Sequence, residues 1–216
     1  MTDNPRNYIT KAIQSSLSFK ETVSAFSSIM NGEFTEAQIA GLLVALSVRG
    51  QTIDEIAGAA KAMRDSCNKV KVPKNAIDIV GTGGDGKGTL NISTASALVV
   101  AGCGITVAKH GNRNLSSLSG AADVLTECGV NIKILPNEVE TIINRIGIGF
   151  MMAPIHHPAM KNVMPTRQAL GVRTIFNILG PLTNPANVKF QLTGAYDKAL
   201  LRPMAETLKK LKTKKA

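Results

Sequence analysis

A glycine-rich loop, Gly81-Thr82-Gly83-Gly84-Asp85, offers the clearest chemistry in the sequence. It follows a short apolar run at residues 76–80 and precedes a polar stretch, residues 89–94, that starts a helix pattern. Glycines let backbone N–H groups approach an anion closely, and a helix N-terminus adds a favourable dipole. Because parallel sheets bind ligands at the carboxyl ends of their strands, the loop predicts a phosphate site.

Two familiar nucleotide-binding motifs nearly match this loop, and both are rejected. The spacing Gly81-x-Gly83-x-x-Gly86 fits the dinucleotide fingerprint, which also needs an acidic residue about twenty positions further on. Residues 99–112 contain no Asp or Glu. The Walker A motif needs Ser or Thr to hold magnesium where Gly88 stands. The loop is therefore expected to hold a different phosphate ligand.

Asp85 places a carboxylate beside the expected phosphates, which it would repel. A magnesium ion bound to a diphosphate would remove this repulsion, because Mg²⁺ prefers oxygen ligands and shares them with phosphates. Sugar hydroxyls that donate to Asp85 would serve as well. Asn91, Ser93 and Thr94 supply neutral oxygens and donors nearby. The alternative is that Asp85 and Ser93 form only turn and cap hydrogen bonds.

A second polar cluster, Lys109-His110-Gly111-Asn112-Arg113, follows a strand pattern at residues 105–109. In a doubly wound sheet, neighbouring strand ends open into one crevice. We therefore expect Lys109 to face the same phosphates as the glycine loop. A basic loop is otherwise often only a solvated surface, and its position after a second strand favours a binding role here.

The first seventy residues predict helices only. Apolar residues at three- and four-residue spacing favour helices at residues 8–17 and 19–30. Thr35 and Thr52 each begin a capping box, which predicts helices ending near Arg49 and Asn68. This part is expected to form a small all-helical domain.

Strand and helix patterns alternate after residue 75, which predicts βαβ units and a mainly parallel sheet. The fold class is therefore α/β, with a small N-terminal helical domain and a larger, incomplete α/β domain. Expected strands cover residues 76–80, 105–109, 131–135, 148–152 and 190–194. Expected helices cover residues 93–103, 116–128, 136–146 and 198–211.

Composition limits the function classes. The net charge is +10, and five lysines near the C-terminus contribute half of it. No aromatic residue lies among these lysines, so we expect a solvated helix end rather than a nucleic-acid arm. Three widely spaced cysteines predict buried free thiols in a reducing compartment. No apolar run is long enough to span a bilayer, and we expect a cytoplasmic protein.

Several motifs together resemble anthranilate phosphoribosyltransferases, and the likeness covers nearly the whole chain. They are GTGGD at 81–85, NIST at 91–94, KHGNR at 109–113, GAADVL at 120–125, GIGFMMAPIHHPAMK at 147–161, TRQALGVRTIFNILGPLTNP at 166–185 and LTGAY at 192–196. The resemblance implies that anthranilate attacks C1 of phosphoribosyl pyrophosphate and that pyrophosphate leaves, in tryptophan biosynthesis. An oxocarbenium-like transition state would then need positioning and neutralisation of the diphosphate rather than a covalent nucleophile.

The resemblance also assigns residue roles. Lys109, Asp85 and Arg167 would be catalytic, Ser93 would bind Mg²⁺, and Gly81, Asn112 and Arg167 would bind anthranilate. We assign no proton-transfer role to His110 and expect His156 and His157 to form a loop rather than a metal site. The donor-binding set is Gly81, Gly84, Asp85, Thr89, Asn91, Ile92, Ser93, Thr94, Lys109, His110, Gly111, Asn112, Arg113, Asn114, Leu115, Ser116, Ser117 and Ala121.

The family pattern further implies the domain organisation. The helical domain would comprise residues 1–70 joined by 163–184, and the α/β domain residues 74–162 and 185–216. A homodimer through the N-terminal helices is expected. The family continues beyond Ala216, so we expect a C-terminally truncated chain whose sheet exposes an edge and an apolar face.

Two other functions stay open. A pyrimidine nucleoside phosphorylase would share the architecture and a glycine loop but would lack KHGNR and the Arg167 segment. A non-catalytic relative could bind nucleic acid through a basic groove, although such a protein would not need GTGGD, NIST and KHGNR together.

Overall fold

A computed structural model describes residues 4–84, 90–113 and 120–216. The chain divides into two compact units, Met1–Cys67 with His157–Thr183 and Asn68–His156 with Asn184–Ala216. The described residues of the first unit are helical, and the second unit combines helices with a parallel sheet. This confirms the predicted fold class.

Apart from one expected strand, the helices and strands follow the alternation expected from the sequence. In chain order they are α1 (Pro5–Gln14), α2 (Phe19–Met30), α3 (Glu36–Arg49), α4 (Ile53–Asp65), β1 (Ile77–Gly81), α5 (Ile92–Gly102), β2 (Val107–Gly111), α6 (Ala121–Glu127), α7 (Pro136–Ile146), β3 (Ile148–Met152), α8 (Ala153–His156), α9 (Met164–Leu170), α10 (Phe176–Leu179), β4 (Phe190–Gly194) and α11 (Leu201–Lys210). Short 3₁₀ helices cover Pro158–Asn162, Gly180–Leu182 and Lys198–Leu200. No helix of the described residues is both long and apolar enough to cross a membrane.

Reciprocal capping boxes begin three helices of the helical unit, α2, α3 and α4. The predicted boxes at Thr35 and Thr52 are present, and Ser18 forms a third with Glu21. Glu55 of the Thr52 box is fully buried and also accepts from Arg49 and the backbone of Leu17. Burial alone would raise the pKa of Glu55, but these hydrogen bonds hold it below its usual value.

The α/β unit contains one four-stranded sheet in the order β3-β2-β1-β4, with all strands parallel. One face packs on α7 through a cluster that includes Ala108, Val139 and Met151. The other face packs on α5 through Ile79, Ala97 and Val107. Coverage of both faces explains why most residues of β1 and β2 are buried.

The strand predicted over residues 131–135 is absent, and this segment has no regular structure. Its apolar residues alternate as in a strand, but they serve two packing clusters. Ile132 is buried beside Phe150, whereas Ile134 packs on the cluster of Val139 and Met151. The alternation therefore reflects burial in two directions, without pairing to a neighbouring strand.

The prediction of buried cysteines is right for Cys67 and wrong for Cys103 and Cys128, which are exposed. Both exposed cysteines are the C-cap residues of helices α5 and α6. Because these positions lie at the ends of their helices, the cysteine side chains stay accessible to solvent.

Candidate functional site

The glycine loop leaves the carboxyl end of β1 in a conformation that needs glycine. Gly83 and Gly84 have φ angles of +66° and +70°, a region that side chains disfavour. Thr82 ties the loop to the end of β4, because its N–H donates to the Gly194 carbonyl at 3.0 Å and its hydroxyl accepts from the Tyr196 N–H at 2.9 Å. Nothing in the sequence pointed to this tie, since its partners are over a hundred residues apart.

Part of the expected donor-binding set lies outside the described residues. This applies to Asp85 and Thr89 of the first loop. It also applies to Asn114, Leu115, Ser116 and Ser117 of the second. The structural account of the site therefore rests on the remaining members of the set.

The N-terminus of α5 lies beyond the first loop. Asn91 is its N-cap and accepts from the Thr94 N–H at 3.2 Å. Ile92 is exposed, whereas Thr94 is buried and its hydroxyl has no hydrogen-bond partner among the described residues. Ser93 does not serve as the cap, so its hydroxyl is available for other contacts.

Lys109 places a buried ammonium group between the ends of β1 and β2. Its side chain is only 3% exposed. Nζ donates to the Ile79 carbonyl at 2.6 Å and to the Ser93 hydroxyl at 3.3 Å. Burial lowers the pKa of Lys109, and the negative charge of Asp78 opposes this shift. The structure thus brings together Lys109, Ser93 and the end of β1.

The rest of the second cluster continues from β2 towards α6. His110 is buried, and a Cβ atom at Gly111 would lie 2.8 Å from the Phe150 ring, so a larger residue would force this ring to shift. The exposed Asn112 accepts from the Arg113 N–H at 2.8 Å. The Arg113 guanidinium pairs with Asp123 of α6 at 2.8 Å.

Ala121, the last member of the donor-binding set, is the first residue of α6. It is partly buried, and Gly120 precedes it as the N-cap. The next residue, Ala122, donates its N–H to the Asn112 carbonyl at 3.2 Å. This bond links the start of α6 to the loop that follows β2.

Asp78 is a functional candidate that the sequence reasoning missed. It is fully buried in β1, where burial raises the pKa of its carboxyl group to about 6 against hydrogen bonds from Asn184 and His110. Asn184 Nδ2 lies 2.7 Å from Asp78 Oδ2, and the His110 N–H donates to Oδ1 at 3.1 Å. The one available signal was an acidic residue inside the apolar run 76–80.

Arg167 belongs to the helical unit, on α9. Its guanidinium lies 5.4 Å from the centre of the Phe176 ring, and Nη1 is 4.0 Å from Met164 Sδ. Burial lowers the pKa of Arg167. No carboxylate of the described chain lies within ion-pair distance of Arg167. The arrangement presents a partly desolvated guanidinium that can still accept a carboxylate ligand.

The adjacent histidines are both buried. His156 Nδ1 lies 3.0 Å from the Met152 carbonyl at the end of β3, and burial lowers the pKa of the imidazole. His157 precedes the 3₁₀ helix at Pro158–Asn162. Across residues 4–84, 90–113 and 120–216, no three His, Cys, Asp or Glu residues cluster as a metal site would require.

Comparisons with known proteins place both units in one family. Residues 7–67 match the helical bundle domain of the glycosyl transferase family, and residues 73–216 match its α/β domain. The chain therefore belongs to the glycosyl transferase family with this pair of domains. Among curated relatives, it is 54% identical over 215 residues to an anthranilate phosphoribosyltransferase of Bradyrhizobium diazoefficiens, covering 99% of this chain and 64% of the relative.

Solved structures show the same likeness. The anthranilate phosphoribosyltransferase of Thermus thermophilus matches with a TM-score of 0.91 and 47% identity, over 94% of this chain and 63% of that one. The enzyme of Saccharomyces cerevisiae in complex with PRPP and Mg matches with a TM-score of 0.90 and 30% identity, over 99% and 64%. The chain thus spans less than two thirds of the length of these relatives.

Proposed function

We propose that this protein transfers the phosphoribosyl group of phosphoribosyl pyrophosphate to anthranilate, giving N-(5-phosphoribosyl)anthranilate and pyrophosphate in tryptophan biosynthesis. The observation that carries the proposal is the buried Lys109 ammonium beside Ser93 at the carboxyl ends of β1 and β2. A cation in such a position suits a diphosphate. The names of the similar proteins support this substrate pair, and they do not favour the nucleoside phosphorylase or the nucleic-acid binder.

The donor would be held mainly by backbone groups and Lys109. The left-handed conformation of the first-loop glycines would let phosphate oxygens approach the backbone closely. The α5 N-terminus adds further donors and a favourable dipole. The full donor set is proposed as Gly81, Gly84, Asp85, Thr89, Asn91, Ile92, Ser93, Thr94, Lys109, His110, Gly111, Asn112, Arg113, Asn114, Leu115, Ser116, Ser117 and Ala121.

The acceptor would be held by its carboxylate. The planar guanidinium of Arg167 lies over the Phe176 ring. Its parallel N–H groups match a benzoate-type carboxylate in shape and charge. Gly81 and Asn112 complete the proposed acceptor set. Stacking on Phe176 limits the rotamers of Arg167, so less side-chain entropy is lost on binding.

The reaction needs no covalent intermediate with the protein. The amine nitrogen of anthranilate forms a bond to C1 of the ribose, the bond from C1 to the diphosphate oxygen breaks, and the amine loses a proton. Negative charge grows on the leaving pyrophosphate, where Lys109 and the loop N–H groups stabilise it. The protein contributes chiefly by positioning the two substrates.

Magnesium fits the residues at the α5 N-terminus. The Ser93 hydroxyl accepts one hydrogen bond, from Lys109, and a hydroxyl oxygen has a second lone pair for a cation. We propose Ser93 as a Mg²⁺ ligand, with phosphate oxygens and water as the others. When bound, Mg²⁺ would neutralise part of the charge on the diphosphate.

We also propose that the protein forms a homodimer through its N-terminal helices and works in the cytoplasm. Ile13, Val44 and Val48 are exposed, Val48 by 85%. Arg49 donates to the Ala12 carbonyl at 3.2 Å, which brings the ends of α1 and α3 together. Such an apolar patch suits an interface, and the exposed thiols Cys103 and Cys128 suit a reducing compartment.

The dimer is tested by sedimentation velocity. Val48→Glu should shift the protein to a monomer, whereas Val172→Glu, at another exposed valine of the helical unit, should not. A wild-type monomer at tens of micromolar would contradict the dimer proposal. Cell fractionation of the tagged protein tests its location, and recovery in a membrane or secreted fraction would contradict a cytoplasmic site.

The proposed activity is tested by following the loss of anthranilate fluorescence with phosphoribosyl pyrophosphate and Mg²⁺, and by titration calorimetry of the donor alone. The wild-type protein should bind the donor in a Mg²⁺-dependent manner and consume anthranilate. Lys109→Ala should lose donor binding, whereas Lys133→Ala, at an exposed lysine of the same unit, should retain it. Absence of donor binding by the wild-type protein would overturn the proposal.

A further inference from the structure

The two central strands of the sheet pair at their amino ends and not at their carboxyl ends. β1 and β2 pair only at Ile77 and Val107, whereas β1–β4 and β2–β3 pair along their full lengths. Paired strands normally lie about 4.8 Å apart and exchange regular backbone hydrogen bonds. Beyond Ile77 the ladder does not continue, and we call the unpaired stretch between the two strands, which leads to the loops that begin at Gly81 and Gly111, the gap.

Side chains, rather than the opposite strand, satisfy backbone groups that face this gap. Leaving such groups unpaired would be costly, because water has little access to them. Two of the three side chains that do this are not substrate-binding candidates. The bonds are His110 N–H to Asp78 Oδ1 at 3.1 Å, Lys109 Nζ to the Ile79 carbonyl at 2.6 Å, and Asn184 Nδ2 to the Ala108 carbonyl at 2.9 Å.

Asp78 and Asn184 form one rigid unit within the gap. Asn184 Nδ2 donates to Asp78 Oδ2 at 2.7 Å, and Asn184 Oδ1 accepts from the Ala186 N–H at 2.8 Å. Both side chains are buried. A flipped Asn184 amide would place its oxygen against Asp78 and the Ala108 carbonyl, so its orientation is fixed by its neighbours.

We infer that Asp78 and Asn184 are positioning residues that hold β1 and β2 apart and so set the spacing between the two loops that take the diphosphate. This inference rests on the proposed function, because that function assigns the ligand to these loops. Asp78 acts through the His110 N–H on the residues that lead into Gly111 and Asn112. Asn184 fixes the orientation of the Asp78 carboxylate and donates to the Ala108 carbonyl of β2.

A purely structural role would have a different consequence. Any buried polar pair stabilises the fold, and its loss would lower stability without a specific effect on ligand affinity. A positioning role predicts weaker donor binding in molecules that stay folded. The two roles are therefore separated by comparing donor affinity with stability in matched variants.

The experiment uses Asp78→Asn, Asn184→Ala and the control Leu208→Ala, which removes a buried side chain of α11 in the same unit. In Asp78→Asn an NH2 group replaces one of the two accepting oxygens, so a donor then faces either the His110 N–H or Asn184 Nδ2. Urea unfolding gives the stability of each variant. Calorimetry with phosphoribosyl pyrophosphate and Mg²⁺ gives donor affinity, and NMR hydrogen exchange reports the His110 amide without any ligand.

Asp78→Asn should weaken donor binding by about tenfold or more, which corresponds to about 1.4 kcal/mol, and should speed exchange at His110. Asn184→Ala should also weaken donor binding and speed exchange at His110. Leu208→Ala should lower the stability without changing either of these. Unchanged His110 exchange in folded Asp78→Asn, or equal loss of affinity in Leu208→Ala, would overturn the inference. If the wild-type protein binds no donor, the proposed function fails, and His110 exchange still decides whether Asp78 holds the gap.

Discussion

Arg167 combines a partly buried charge, an aromatic stacking partner and the absence of an acidic neighbour among the described residues. In globular proteins such a charge is normally paired, which supports the proposed pairing of Arg167 with the carboxylate of the acceptor. Its location on α9, far along the sequence from the glycine loop, would separate the proposed acceptor recognition from the proposed donor recognition along the chain. The two functions should therefore respond separately to mutation.

Arg167→Ala is expected to raise the anthranilate concentration needed for half-maximal rate by about ten- to a hundredfold, because the variant loses a charge-assisted hydrogen-bonded pair with the substrate. Donor affinity should stay unchanged, because no predicted donor contact is removed. Steady-state kinetics with each substrate varied in turn measure both. Arg173→Ala is the control, at an exposed arginine of the same unit. Equal anthranilate dependence in Arg167→Ala and the wild type would refute the carboxylate role.

Asp78 predicts a pH dependence of stability. Its pKa is raised from 3.8 to about 6 in the folded state, so the folded protein keeps this proton where the unfolded chain loses it. The stability from the protonated group is complete below pH 3.8 and is lost as the pH rises through about 6. Relative to Asp78→Asn, the wild type should lose roughly 3 kcal/mol of unfolding free energy between about pH 3 and about pH 7. Urea unfolding at several pH values measures this, and a pH-independent difference would refute the raised pKa.

At the scale of elements, helices α2 and α4 approach closely because Gly58 has no side chain. A Cβ atom there would lie 2.7 Å from Thr22 Cβ and 2.8 Å from the Phe19 carbonyl oxygen. Neither atom is the flexible end of a side chain. The helices must therefore move apart to accept any larger residue.

Gly58→Ala should destabilise the protein by about 1–3 kcal/mol through overpacking, despite the higher helix propensity of alanine. Gly41→Ala is the matched control, since its Cβ atom would lie 3.7 Å from Ile9, at ordinary contact distance. That change should be neutral or stabilise by up to about 1 kcal/mol. Thermal and urea unfolding compare the two, and similar effects of both would show that the close approach is not limiting.

The sequence predicted elements well where a local signal exists. Capping boxes located the starts of α3 and α4, and α7 covers residues 136–146 as expected. It failed at residues 131–135, because alternating apolar residues describe burial and not pairing. The predicted α4 was a few residues too long. No Gly or Pro directly follows its polar C-terminal end, so the sequence gives no signal for where the helix stops.

The candidate site could likewise be predicted only where a local signal exists. Residues 81–84 and 109–113 were found because glycine and basic residues after strands have a local meaning. The tie from Thr82 to Tyr196, and that from Asp78 to Asn184, join positions over a hundred residues apart. Only the strand order β2-β1-β4 brings such partners together, and one sequence does not reveal that order.

At the scale of the whole molecule, the positive charge is unevenly placed. Lys214 and Lys215 donate backbone N–H groups to the Lys189 carbonyl, next to the start of β4. The candidate donor site lies at the opposite, carboxyl ends of the strands. A five-residue strand spans about 16 Å, which exceeds the Debye length of about 8 Å at physiological salt. The lysine-rich segment should therefore contribute little to donor binding.

Replacing the five lysines with glutamine (Lys209, Lys210, Lys212, Lys214 and Lys215) should halve the net charge and change donor affinity by less than about twofold at physiological salt. Retention on a heparin column should fall, because that interaction follows the total basic charge. Calorimetry and chromatography measure the two effects. A tenfold loss of donor affinity would show that these lysines contribute electrostatically to donor binding.

The hydrogen bond from the Tyr196 N–H to the Thr82 hydroxyl also makes the glycine loop observable by spectroscopy. The protein has no Trp and two Tyr residues, and the other, Tyr8, stacks on Phe34 in the helical unit. In Tyr8→Phe, tyrosine emission comes from Tyr196 alone. Any donor-induced shift of Thr82 should then alter the intensity or lifetime of a single fluorophore, whereas Thr82→Val should uncouple that signal from ligand binding. The fold thus provides an intrinsic optical probe of loop occupancy, without an added label.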